Sequence, residues 1–185
     1  GLIEAYKDAF APGDGARLVL KTINGSHRLQ ELEAVKWAIR GRPDVVLMDE
    51  YMETDLVAAL MNCCDAYVSL HRSEGLGLTL AEAMLLGKPV IATGYGGNMD
   101  FMTEVNSLPV AWERCAVGLR AGPYDPTAEW AEPSLSDAST KMRYLFEHRE
   151  AAVEIGRVAR RDLESKFSAE VCGLRMKSRL REIWG

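Results

Sequence analysis

Glu74-Gly-Leu-Gly-Leu-Thr-Leu-Ala-Glu82-Ala-Met-Leu-Leu-Gly87-Lys-Pro-Val-Ile-Ala-Thr93-Gly-Tyr-Gly-Gly97 sets a glycine loop, a short apolar helix and a second apolar run end to end. Ala66-Tyr-Val-Ser-Leu70, just before it, has the β-branched and aromatic character of a buried strand. Two glycines at 75 and 77 let the backbone turn tightly and come close to a ligand. Leu78 to Leu86 carries apolar residues at helical spacing, and Gly87-Lys-Pro89 supplies the C-terminal glycine and following proline that end a helix. Pro89 to Thr93 is a second buried strand. Strand, loop, helix and strand make a βαβ unit with parallel strands.

In such a unit the loop and the helix N-terminus lie at the carboxyl edge of the sheet, where unbonded N–H groups and the helix dipole favour an anion. A phosphate at Gly77 to Leu80 fits that position. A glycine turn before a helix is common in α/β proteins, so the two carboxylates sharpen the reading. Glu74 in the loop and Glu82 on the helix can face one crevice, and carboxylates accept well from paired ribose or sugar hydroxyls. Thr79-x-x-Glu82 also matches a capping box, which would give Glu82 a purely structural duty. Both acids beside both glycines favour binding of a polyhydroxylated phosphate ester.

These residues resemble the Glu-x7-Glu signature of the family 4, or "group 1", retaining glycosyltransferases of GT-B fold, from about Asp65 to Val110. The resemblance implies an α/β fold, a Rossmann-like parallel β-sheet flanked by helices, forming one half of a GT-B enzyme. It implies a sugar-nucleotide donor site in which Glu82 takes the ribose hydroxyls, Glu74 and the backbone of Gly75, Leu76, Gly77 and Leu78 hold the donor sugar, and the N–H groups around Thr79 and Leu80 take the diphosphate. Glu74 is the catalytic candidate. The reaction implied is hexosyl transfer with retained configuration to a glycan, lipid or other acceptor, with no metal and no other cofactor.

At 185 residues the chain can bury one good core, and 48% hydrophobic with 26% charged residues is ordinary for a globular protein. A single domain over 1–185 is expected, closed by helices over 134–185. The chain opens at a helical pattern, Leu2, Ile3, Tyr6 and Phe10, where a doubly wound domain should open with a strand. A missing first strand is therefore expected, and the resemblance implies a fragment that also lacks the N-terminal acceptor domain and is inactive or nearly so alone. Cys63, Cys64, Cys115 and Cys172 lack zinc or redox spacing and read as reduced thiols of a cytoplasmic protein.

Outward from the central stretch, Arg17 to Ile23, Asp44 to Met48 and Ser107 to Trp112 read as strands, the last of them closing the sheet. Ser26 is expected to cap a helix over His27–Arg40, and Thr54 to Cys63 forms another. Lys21 reads as solvated or locally paired rather than as a phosphate ligand. Asp49 to Met52 is a carboxyl-edge loop where the resemblance implies that the nucleobase rests; an exposed loop with an incidental Tyr51 is the alternative. His71 and Arg72 precede Glu74, where a solvated pair is the plainer reading. Gly94 to Gly97 either flanks the crevice or is a flexible turn before a short helix around Met99 to Thr103. Arg114 to Pro133 reads as irregular, with Trp130 as a packing anchor.

The chain carries a net charge of −5, but residues 141–185 hold 11 Lys and Arg against 7 Asp and Glu. That basic amphipathic end is a solvated face or a peripheral contact with anionic membrane. A negative total without a basic stripe argues against nucleic acid. Two other classes stand beside the transferase: a catalytically inactive nucleotide-sugar-binding module, and a GT-B fold nucleotide-sugar epimerase. A dinucleotide-dependent oxidoreductase needs a third glycine, which the loop lacks. A glycosidase pair needs its acids astride the scissile bond, whereas these share one loop and helix.

Overall fold

The computed structural model describes residues 1–119 and 123–185, and the chain alternates helix and strand through most of its length. Helix α1 (Leu2–Ala9) leads to strand β1 (Leu18–Thr22), α2 (Leu29–Ala38), β2 (Val45–Asp49), α3 (Thr54–Cys63), β3 (Tyr67–Ser69), α4 (Leu78–Leu85), β4 (Val90–Thr93) and β5 (Leu108–Val110). A hairpin of β6 (Trp112–Ala116) and β7 (Glu129–Pro133) follows, then α5 (Leu135–Glu147), α6 (Arg149–Phe167) and α7 (Ala169–Trp184). Strands β3, β4 and β5 pair in parallel, Tyr67 opposite Val90 and Ile91 opposite Leu108. β1 and β2 form a separate parallel pair, Leu18 opposite Val45.

All four residues of β4 are buried, and they alternate between two cores as a parallel strand covered on both faces must. Ile91 joins Ala5, Tyr6 and Phe10 of the α1 segment and Met142 and Leu145 of α5. Val90 and Ala92 join Leu80 and Met84 of α4 and Ala159 and Leu163 of α6. Gly156 of α6 lies so close to the Gly87 carbonyl that a Cβ there would overlap it. The breaks at His148 and Ser168 fall where expected, and Ser168 accepts a hydrogen bond from Val171 N at 3.3 Å.

A buried triad ties α1 to the start of β2. Arg42 Nη2 donates to Asp44 Oδ2 at 2.6 Å, Tyr6 OH donates to the same oxygen at 3.0 Å, and the guanidinium stacks 5.2 Å from the Tyr6 ring centroid. The Arg42 hydrogen bonds hold the Asp44 carboxyl well below the usual range. Burial, with Asp44 as neighbour, pushes the Tyr6 phenol up to about 12.

Four local expectations need correction. Ser26 does not cap α2; it sits in a 3₁₀ turn over Gly25–His27, and Arg28 occupies the N-cap without a side-chain bond. Asp49 takes over that loop, accepting from Thr22 Oγ1 at 2.9 Å and Gly25 N at 3.2 Å. The short helix after the second glycine loop is a 3₁₀ turn over Gly97–Asp100. Arg114 to Pro133 is not irregular throughout, and Ser107 to Trp112 is not the last strand. β6 and β7 pair antiparallel with Cys115 opposite Trp130, and Arg114 meets Glu129 at 3.2 Å across the hairpin. A short strand followed directly by a second one reads as a single run in sequence, because nothing local marks the change of partner.

The four cysteines are free. No described helix is long and apolar enough to cross a membrane. α7 has no buried residue, and Leu174, Ile183 and Trp184 stand in solvent.

Candidate functional site

The glycine loop leaves β3 at its carboxyl end and enters α4 through Gly77, whose φ of +84° is open to glycine at little cost. A Cβ at Gly77 would also lie 3.2 Å from Asn98 Cβ and 3.4 Å from Phe101. No side chain caps this helix. Helix geometry leaves the first-turn N–H groups at Leu78, Thr79 and Leu80 without intrahelical acceptors. The first intrahelical bond runs from Ala81 N to Gly77 O at 2.9 Å.

The capping box is not formed. Thr79 falls inside the first turn rather than at its cap, so it cannot exchange bonds with Glu82. Glu82 is exposed on the helix, while half-buried Glu74 accepts from Gly77 N at 3.1 Å through Oε1. That bond sets the loop's curvature and leaves Oε2 outside it. Gly75 has open space where a side chain would stand, and Leu76 and Leu78 present apolar side chains to solvent, 48% and 66% exposed. Leu80 differs from the other candidates: its side chain is in the core at 1% exposure, so only its backbone faces the helix end.

The second glycine loop lies against the first. Gly97 N donates to Glu74 O at 3.1 Å. A Cβ on Gly96 would come within 2.7 Å of Glu74 O, and one on Gly97 would overlap the Gly75 carbonyl. Gly94–Gly97 is therefore packed on the first loop, and Gly96 and Gly97 are required by backbone against backbone.

His71 is not solvated. Its Nε2 meets Tyr95 O at 2.9 Å, and since a carbonyl only accepts, the neutral ring carries its proton there. Nδ1 is left to accept from Ser69 Oγ at 3.2 Å. His71 thus links the end of β3 to the second loop, while Trp112 Nε1 donates to Gly94 O at 2.7 Å and packs on Tyr95 at 4.7 Å between centroids. Arg72 turns away to the hairpin. It pairs with Glu132 at 2.5 Å, lies 5.1 Å from the Trp130 ring centroid, and accepts from Ala131 N through its carbonyl at 2.9 Å. The Glu132 carboxylate raises its guanidinium pKa. Lys21 donates to the Glu50 carbonyl at 2.5 Å and the Thr22 carbonyl at 2.8 Å, a local pairing. Tyr51 is 76% exposed.

Asn98 escaped the sequence reading. It is fully buried behind Gly77, donating to Thr93 O at 3.0 Å, while its Oδ1 and the buried Thr93 Oγ1 lack partners among the described residues. An asparagine after a glycine pair is a common turn signal, and only burial separates this one from a surface turn.

The arrangement is two glycine loops packed backbone to backbone beside an uncapped helix N-terminus, with two carboxylates and two exposed leucines. Proteins of known structure share its fold. The Anabaena protein HepE, solved with UDP and glucose, matches 98% of this chain and 44% of its own with a TM-score of 0.75 and 18% identity. Sucrose-phosphate synthase from Thermosynechococcus elongatus matches 99% of this chain and 41% of its own with a TM-score of 0.72 and 19% identity. The fold is that of one half of the GT-B glycosyltransferases. Among curated relatives, Arabidopsis thaliana sulfoquinovosyl transferase SQD2 is 33% identical over 100 residues, and Thermococcus litoralis trehalose synthase is 26% identical over 111. The matches take in 54% and 60% of this chain but span only 16% and 22% of those proteins. The family model for glycosyl transferases group 1 matches residues 2–119, which hold both glycine loops, Glu74 and Glu82, and the chain therefore belongs to that family.

Proposed function

We propose that this chain is the donor-binding domain of a retaining glycosyltransferase, taking a sugar from a nucleoside diphosphate sugar. The observation that carries the reading is the uncapped N-terminus of α4, entered through positive-φ Gly77 and flanked by Glu74 and Glu82. Departure of the diphosphate is the costly event, and fixed N–H dipoles at Leu78, Thr79 and Leu80 stabilise the developing charge without reorganising. Glu82, exposed and engaged in no cap, is assigned to the ribose hydroxyls. Glu74 is assigned to the donor sugar as the candidate catalytic residue, together with the backbone of Gly75 to Leu78, where the space above Gly75 is open. The exposed Leu76 and Leu78 side chains offer apolar cover. HepE, which shares the fold, was solved in complex with UDP-glucose, a donor of this class. The acceptor site is assigned to a companion domain, which makes the chain a binder with little turnover of its own.

Calorimetric titration with UDP, GDP and ADP, and with their sugar conjugates, tests this. One nucleoside diphosphate should bind, at least about tenfold more weakly in Glu82→Ala, a loss of roughly 1.4 kcal/mol. Equal affinity in the variant would remove Glu82 from the site, and preference for NAD(P) would overturn the donor reading.

A further inference from the structure

Three consecutive carbonyls of the second glycine loop are each taken by a side-chain donor from a different element. Asn98 Nδ2, from the 3₁₀ turn that follows, donates to Thr93 O at 3.0 Å, and Trp112 Nε1 of β6 donates to Gly94 O at 2.7 Å. The His71 ring, just past the end of β3, donates through Nε2 to Tyr95 O at 2.9 Å. The N–H groups of the loop are used too, with one exception. Gly94 N donates to Val110 O at 2.9 Å, Tyr95 N to Thr93 O at 2.8 Å and Gly97 N to Glu74 O at 3.1 Å. Gly96 N meets no backbone acceptor among the described residues, and Gly96 is exposed. Gly96 also lies against the main chain of Glu74. Its φ is +104°, and a Cβ there would stand 2.7 Å from Glu74 O and 3.2 Å from Glu74 N.

We propose that His71 is a positioning residue of the donor site, fixing the Tyr95–Gly96 peptide through Tyr95 O so that the Gly96 N–H donates to a hydroxyl of the donor sugar beside Glu74. The proposal rests on the donor reading above, in which Glu74 takes the sugar and the N–H groups of α4 take the diphosphate. A trans peptide sets its N–H opposite its C=O, so whatever holds Tyr95 O also aims the Gly96 N–H away from the imidazole. Glycine on the far side of that peptide makes its rotation cheap, because either sign of φ is open to it. The neighbouring bonds do not prevent the turn. Asn98 and Trp112 hold the two preceding carbonyls, and Gly97 N belongs to the next peptide. His71 is the group that opposes it. Its tautomer is set from behind: Ser69 Oγ, 3.2 Å from Nδ1, has a proton to give there, which leaves the ring proton on Nε2. An N–H that donates beside a carboxylate that accepts matches a sugar hydroxyl, which does both.

The test uses the full chain and two variants. His71→Phe keeps an aromatic ring and removes the donor, and His71→Gln restores an N–H donor at similar reach. Calorimetry compares UDP, GDP and ADP with their sugar conjugates. In His71→Phe the conjugate should lose at least about fivefold in affinity, the scale of one hydrogen bond, and the bare nucleoside diphosphate less than about twofold. His71→Gln should recover most of that loss. Amide exchange at Gly97 should quicken at least about fivefold in His71→Phe and return in His71→Gln. In the wild-type chain, NMR of the ring nitrogens should find the neutral His71 protonated at Nε2, and the Gly96 amide resonance should move with the sugar conjugate but not with the bare nucleotide. A ring protonated at Nδ1 would overturn the proposal, as would a Gly96 resonance indifferent to the sugar. Equal losses for nucleotide and conjugate, or no rescue by His71→Gln, would reduce His71 to a structural residue and overturn it as well. A wild-type chain that binds neither ligand would overturn the donor reading and the ligand duty of Gly96 with it. Ring tautomer and Gly97 exchange would then decide separately whether His71 holds the loop.

Discussion

Replacing Gly97 by alanine should separate the architecture of the site from its chemistry. The added Cβ would overlap the Gly75 carbonyl oxygen, lie 2.8 Å from its carbon and 3.2 Å from Leu76 Cα. None of these atoms is the tip of a flexible side chain, so the two loops must part by roughly 1 Å or more, more than a packed interior gives freely. The Gly97 N–H bond to Glu74 O at 3.1 Å then fails. Its loss costs about 1 kcal/mol and the overpacking about 1–3 kcal/mol more. Unfolding followed in urea should show a destabilisation of about 2–4 kcal/mol. Gly75→Ala is the matched control, since nothing stands within 4 Å of its Cβ. That variant should retain stability to within about 0.5 kcal/mol. If the donor sugar rests on the Gly75 backbone, Gly75→Ala weakens binding of the nucleoside diphosphate sugar more than of the nucleoside diphosphate. A Gly97→Ala protein as stable as the parent would refute the loop-against-loop account. Equal destabilisation by Gly75→Ala would refute the claim that space at 75 is reserved for a ligand.

Gly156→Ala drives a Cβ into the Gly87 carbonyl and should cost about 3 kcal/mol by lifting α6 from α4, read by thermal unfolding. The depressed Asp44 carboxyl contributes stability that is present above the unfolded aspartate pKa and lost as pH falls through the folded value. Stability should therefore decline below about pH 4, and Asp44→Asn should flatten that decline in urea titrations at successive pH values. Asn98→Leu removes the bond to Thr93 O at 3.0 Å and crowds Gly77, so it should cost about 1–3 kcal/mol and weaken nucleotide binding in the same preparation. EDTA should leave nucleotide binding unchanged, measured by the same calorimetry.

The β3–α4–β4 unit was legible because its signals are local: a glycine pair between an apolar strand and an apolar helix, then a helix stop and a second strand. Glu74 and Glu82 stood out by type and spacing alone. What escaped depends on residues far apart in the chain. His71 looks like a loop histidine until the second glycine loop comes to its Nε2, and Arg72 looks free until β7 brings Glu132 and Trp130 against it. The β6–β7 hairpin was missed because antiparallel partners separated by a dozen residues leave no short-range mark. Local periodicity and turn chemistry thus determined the β3–α4–β4 unit, its parallel sense and the candidate binding residues. Only the tertiary structure decided that the capping box stays open, that the glycines at 96 and 97 answer to a facing backbone, and that the sheet divides between β1 and β3. Each of those is a matter of which groups meet across the fold, and backbone approach of that kind is not written in the spacing of any one segment.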